Sequence, residues 1–211
     1  MLAAGCGNGS PESGSDAETS QEGEDNSGAT APTQPAAPTY RLLSKKGLTR
    51  ALLGIQAMPA GYSQDPPTPD SLDKTFCDYK PPFTQKVKVS RDFTKGGGMS
   101  AELLRVGLRQ YANPQQARAS FKALTRALAT CTGETYNGTK MTYAPMSAPK
   151  VGDGSVGVKI TADGTPLLQT FALVGPTLVN SGGGGLMNAS ADDVNTLLRA
   201  QVKAYKRSAT K

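Results

Sequence analysis

The stretch Thr84-Gln85-Lys86-Val87-Lys88-Val89-Ser90-Arg91-Asp92-Phe93, the glycines Gly96-Gly97-Gly98 and the stretch Glu102-Leu103-Leu104-Arg105-Val106-Gly107-Leu108-Arg109-Gln110-Tyr111 decide the fold class of this chain of 211 residues. Apolar and polar residues alternate in both arms, the period of a strand with one buried face. Val87 and Val89 fall on one side and Lys86 and Lys88 on the other. In the second arm Leu104, Val106 and Leu108 oppose Arg105 and Arg109. Two such arms joined by glycines predict an antiparallel hairpin with an apolar side and a basic side.

Working outward, Asn113-Pro114 opens a helix with a capping side chain and a proline at the first turn. Ala117, Phe121, Leu124, Leu128 and Cys131 recur at helical spacing and form its buried face, with Gly133 as the stop. Strands are predicted near residues 140–143, 156–161, 167–174 and 177–181, with Asp163-Gly164 as a hairpin turn. Gly182 to Gly185 reads as a flexible connection to a last helix. Ser190 caps that helix with Asp193 three residues on, and Val194, Leu197, Leu198, Val202 and Tyr205 form its apolar face. Upstream, residues 48–55 form a short amphipathic helix ended by Gly54 and Met58-Pro59-Ala60-Gly61, and the Pro/Asp-rich residues 63–73 form a loop. Helix, hairpin, helix, strands, helix is the order of an α+β fold: a central, mostly antiparallel sheet with helices packed on it, in one domain over residues 40–211.

Residues 7–39 have a different character. They contain no Lys or Arg and almost no bulky apolar residue, but carry Glu12, Asp16, Glu18, Glu22, Glu24 and Asp25. This composition cannot bury enough apolar surface to offset the entropy of folding, so a disordered acidic linker is expected. As a flexible chain it would span about 30–35 Å on average. The whole chain is +6, from 23 basic and 17 acidic residues. Six of those acids lie in the linker, so the rest carries 23 bases against 11 acids, a balance of +12. A basic domain on an acidic leash is drawn to anionic membranes or wall polymers. A nucleic-acid partner is not expected, because no nucleic-acid motif is present.

Residues 1–6, Met1-Leu2-Ala3-Ala4-Gly5-Cys6, resemble the processing site of bacterial lipoproteins, a small-residue run ending in Gly-Cys. The resemblance implies cleavage before Cys6, a diacylglycerol lipid anchor on its sulfur, and a location on the outer face of the cell membrane. Only five residues precede Cys6, whereas a signal peptide has a basic start and an apolar stretch of about 7–15 residues; the true start is expected to lie upstream. With Cys6 assigned to lipid, Cys77 and Cys131 remain. An even pair in an exported chain reads as one disulfide, with two buried free thiols as the alternative. No metal site is expected: the chain has no His, and neither cysteine has a second one nearby.

The order of elements is similar to a family. An early Leu-rich helix ends in Met58-Pro59-Ala60-Gly61-Tyr62. Cys77 follows a Pro/Asp loop, then come a hairpin and the helix Ala117-x-x-x-Phe121-x-x-Leu124 running to Cys131. A strand, a Gly-rich turn and a C-terminal helix complete it. Over residues 42–207 this resembles the exported sensor-like domains of actinobacteria, found in free lipoproteins and as the extracellular domain of PknH-type receptor kinases. The resemblance implies an α+β sandwich with a groove for an unidentified ligand. The kinase-linked members have two disulfides where this chain can form one. It contains no kinase domain, so a signalling role would run through a separate partner.

Candidate chemistry is sparse. Without His, the commonest general base and the usual triads are absent. Ser44-Lys45-Lys46 does not make a serine–lysine pair on a helix start. Asp92 and Glu102 sit at opposite ends of the glycine turn. Asp192-Asp193 suits a helix N-terminus, and Gly182 to Gly185 lacks the Lys-Ser/Thr of a phosphate-binding loop. Asn137-Gly138-Thr139 and Asn188-Ala189-Ser190 match the glycosylation sequon but read as turns and a cap. The basic row Lys86, Lys88, Arg105 and Arg109 is the candidate ligand-binding surface; a solvated sheet face is the alternative, unless a helix covers that face and makes it a cleft. A non-enzymatic sensor or ligand-binding lipoprotein is therefore expected, without cofactor. Its partners would be the membrane and a small-molecule, cell-envelope or protein ligand. The alternative is an envelope carrier of a lipid or other apolar ligand.

Overall fold

A computed structural model of the protein describes residues 39–67, 76–185 and 189–210. Cys6, the linker up to residue 38 and the later part of the Pro/Asp loop lie outside the described residues. The elements run α1 (Lys45–Ala51), β1 (Tyr62–Gln64), β2 (Val87–Lys95), β3 (Glu102–Gln110), α2 (Pro114–Thr130), β4 (Gly133–Tyr136), β5 (Thr139–Met146), β6 (Gly154–Ala162), β7 (Thr165–Val174), β8 (Thr177–Gly185) and α3 (Ala191–Ala209). All eight strands form one antiparallel sheet in the order β1-β2-β3-β8-β7-β6-β5-β4. The α+β class with a central antiparallel sheet is what the hairpin pattern predicts.

The topology follows from one crossover. After the β2–β3 hairpin, α2 carries the chain to the far edge of the sheet. The meander β4 to β8 then walks back until β8 pairs with β3. Each helix starts at a side-chain cap. The Ser44 hydroxyl accepts from the Gly47 N–H, Asn113 Oδ1 from the Gln116 N–H at 2.9 Å and the Ser190 hydroxyl from the Asp193 N–H at 3.1 Å.

Alternation along each strand gives the sheet two apolar faces. One packs under α1 and α3: Phe93, Leu104, Val106, Leu108 and Val179 meet Leu48, Leu197, Leu198, Val202 and Tyr205. The other packs under α2: Val158, Ile160, Phe171 and Leu178 meet Ala117, Leu124 and Leu128. Buried polar groups dock the first layer. The Gln201 amide donates to the Ala51 carbonyl at 2.8 Å and accepts from the Leu53 N–H at 2.9 Å. The Gln110 amide does the same for Leu43, at 2.8 Å both ways. Each pairing satisfies groups that would be costly to bury alone.

Four local expectations change. The first helix spans Lys45–Ala51 with Leu52 as its C-cap, rather than residues 48–55. Gly182 to Gly185 is strand, not a connection: these residues continue β8 in the middle of the sheet, all paired with β3 and, from Gly182 to Gly184, also with β7. Ser63 and Gln64, expected in a loop, form part of β1. Helix α2 ends at Thr130 with Cys131 as its cap, and Gly133 opens β4 rather than stopping the helix.

Candidate functional site

The sheet face that carries α2 is only half covered. The helix lies over the β5–β8 side. Over β2, β3 and the glycine half of β8 no described helix packs, and a cleft of about 880 Å³ opens there. Its floor is low because glycines form it. Gly107, Gly182 and Gly184 line it together with the Asn180 side chain. Asn180 lies across Gly107, where a Cβ would meet its Oδ1 at 2.5 Å. Gly107 and Asn180 are register partners, as are Arg105 and Gly182.

One wall is polar. Lys88 on β2 stands directly opposite Arg109 on β3, and Asp92 opposite Arg105. The second pair is a salt bridge, Arg105 Nε to Asp92 Oδ1 at 2.9 Å. Asp65 lines the same end and accepts from the Thr94 hydroxyl at 2.8 Å. The Lys88–Arg109 pair places two basic side chains in register on adjacent strands at the edge of the floor. Both carboxylates on this wall are thus engaged in holding neighbours.

The opposite wall is apolar and aromatic. Leu124 of α2, Phe171 and Leu167 of β7 and Leu178 of β8 line it with Phe76, Tyr79 and Tyr111. Phe76 packs edge-on against Tyr143 and Phe171, at 5.6 and 6.2 Å between centroids. Tyr79 donates to the Ser120 carbonyl of α2 at 3.1 Å. Burial pushes its phenol up to about 12, with the Tyr111 phenol adding to the shift and the Arg109 guanidinium opposing it. The aromatic ring pair is held by the disulfide between Cys77 and Cys131, whose Cα atoms are 5.7 Å apart. It ties the turn Phe76–Asp78 to the C-cap of α2. Cys77 has a left-handed backbone (φ 39°), unusual for a side-chain-bearing residue. Its N–H donates to the Glu134 carboxylate at 3.2 Å, and Glu134 also accepts from the Tyr143 hydroxyl.

No family model matches the chain, and no curated protein matches it. Among solved structures, the fold is similar to the extracellular domain of PknH from Mycobacterium tuberculosis. The TM-score is 0.64 at 12% identity, over 80% of this chain and 100% of that one. A putative uncharacterized protein from Mycobacterium smegmatis aligns with a TM-score of 0.39 at 13% identity, over 56% of this chain and 64% of that one. The likeness to the PknH domain is one of fold, a central antiparallel sheet flanked by helices.

The structure therefore brings three of the four row residues together. Lys88, Arg105 and Arg109 line the cleft. Lys86 precedes β2, is exposed, and contributes its N–H to the Gln110 carbonyl at 2.8 Å. The aromatic wall and the glycine floor were not legible as a site. Phe76 and Tyr79 flank Cys77 in sequence, and that clustering is the signal that could have marked them.

Proposed function

We propose that this chain is a membrane-tethered, extracytoplasmic lipoprotein. It is anchored through lipid on Cys6, and its domain binds a ligand without transforming it. The cleft carries this reading: a volume of about 880 Å³, within the usual range of small-molecule sites, with cations on one wall and aromatic rings on the other. Such a pairing suits an organic anion with an apolar body, a small molecule or a fragment of the cell envelope. The fold likeness to an extracellular domain supports the setting. Asp65 and Asp92, committed to Thr94 and Arg105, support binding over acid–base work.

The test is native mass spectrometry of protein purified from envelopes, with and without Lys88→Ala and Arg109→Ala. The expected result is a copurifying anion whose occupancy falls in both variants. Capture that ignores both substitutions would sink the cleft as the site. Envelope fractionation of Cys6→Ala tests the anchor separately: unchanged membrane association refutes lipidation. The carrier reading draws on the apolar share of the lining, Leu103, Leu124, Leu167, Phe171 and Leu178. It requires transfer of the captured molecule to acceptor vesicles, which a sensor does not perform.

A further inference from the structure

Outside the cleft, exposed cations lie on α2 (Arg118, Lys122 and Arg126) and, in greater number, on the α1–α3 layer. Helix α1 exposes Lys45, Lys46 and Arg50, and α3 exposes Arg199, Lys203 and Arg207. Those of α3 recur at every fourth residue, so they stand in one line about 6 Å apart. None of the six forms an ion pair among the described residues. The two helices lie side by side on the same sheet face, tied through Gln201. Between residues 40 and 64 there is no acid at all, and the acids of α3 are confined to Asp192 and Asp193 in its first turn. Leu42 is 53% exposed in this layer, beside Arg41, whose guanidinium donates to the Ser208 carbonyl at 3.0 Å.

The chain also enters the domain here. Tyr40 bridges Thr210, and the Arg41 N–H donates to the Ala209 carbonyl at 2.9 Å, so whatever precedes residue 39 arrives at the C-terminal end of α3. We propose that the α1–α3 layer docks on a bilayer surface rich in anionic phospholipid, with its cations among the headgroups and Leu42 entering the interface. The inference gives the tethered reading an orientation: with this layer down, the cleft on the opposite sheet face opens away from the bilayer.

The experiment uses the full chain as Cys6→Ser, so that docking is read without the anchor and the two can fail separately. Sedimentation with vesicles of equal parts phosphatidylglycerol and phosphatidylcholine should show binding that high salt or pure phosphatidylcholine abolishes. Each basic residue at such a surface contributes about fivefold. Arg199→Glu/Lys203→Glu/Arg207→Glu should therefore weaken binding at least about a hundredfold. Arg118→Glu/Lys122→Glu/Arg126→Glu on α2 changes net charge equally, from exposed positions at the same spacing. It should shift affinity by less than about threefold. Equal losses in the two variants would mean that net charge, not this layer, attracts the surface. The chain has no Trp, so Leu42→Trp is a single reporter in the otherwise unaltered layer. Its emission should shift to the blue on the anionic vesicles. An unshifted spectrum, no vesicle binding, or equally tight binding to soluble polyglutamate overturns the proposal.

Discussion

Replacing Gly183 by alanine puts a methyl group where β8 meets two buried side chains. An ideal Cβ there lies 2.9 Å from Val194 Cγ2 and 3.1 Å from Leu104 Cδ2. Val194, on the inner face of α3, is fully buried, and Leu104 is 5% exposed. Neither has room to retreat, so α3 must lift at its first turn, where the Ser181 hydroxyl donates to the Val194 carbonyl at 2.8 Å. Overpacking of this kind costs about 1–3 kcal/mol. The alanine also stiffens the unfolded chain, which offsets about 0.4–1 kcal/mol. A net loss of about 1–2 kcal/mol follows, with the midpoint of thermal unfolding lowered by about 2–8 °C. Gly182→Ala, one residue away, points to the opposite face. Its Cβ would meet the Leu168 carbonyl at 3.2 Å and Gln169 Cγ at 3.6 Å, beside the open cleft. Its cost should stay below about 1 kcal/mol, while ligand capture falls because the floor rises. Urea unfolding of the two variants, with m unchanged, checks the difference. If Gly182→Ala costs as much as Gly183→Ala, the glycine run does not alternate between a packed and an open face, and the reasoning fails.

The disulfide joins residues 54 apart. Cys77→Ala/Cys131→Ala should cost about 4 kcal/mol by the chain-entropy relation, read in urea, and thiol labelling of denatured unreduced protein should leave both cysteines unmodified. Arg91 holds the end of α1, donating through Nη1 to the Leu52 and Leu53 carbonyls, each at 3.0 Å, and through Nη2 to Thr49. Arg91→Ala should lower stability by about 1.5–3 kcal/mol, and lysine should not rescue it, because one ammonium cannot reproduce the fork. Tyr62 and Tyr79 are both pushed up to about 12 from 10.0, chiefly by burial. Raised folded values favour the protonated, folded state. Their contribution is full below pH 10 and is lost as pH rises toward 12. Tyr62→Phe and Tyr79→Phe should flatten the alkaline fall in stability; an unchanged slope between those values would show that neither phenol is shielded.

Strand alternation made the first hairpin legible, because each arm has one face in the core and one outside. Register and face agree with the pattern from Val87 to Gln110. The glycine half of β8 was opaque for a physical reason. A strand buried on both faces does not alternate, and glycine carries no side chain to show which face is which. There, small size is the message: Gly183 lets α3 approach, while Gly182 and Gly184 hold the cleft floor down. Strand β4 escaped notice because Gly133-Glu134-Thr135-Tyr136 is short and mostly exposed, so burial leaves no pattern in it. The basic row could be read as a face but not as a site, because only the fold shows that α2 covers one half of that face and leaves the other open.

The two sheet faces divide the work of the domain. On one, both helices are fixed by buried amides, and their outer surfaces carry cations with no described acid to meet them. On the other, a single helix and a disulfide-held pair of aromatic rings leave a cleft whose floor is glycine. Losing the disulfide would therefore do more than lower stability: it would loosen Phe76 and Tyr79, whose short turn is fastened to the end of α2 through Cys77 and is otherwise held only by ring packing and the Tyr79 hydrogen bond to Ser120. Weak reduction of the native protein should then lower ligand capture before it lowers global stability. Loss of capture only at global unfolding would place the aromatic wall among the rigid parts of the fold instead.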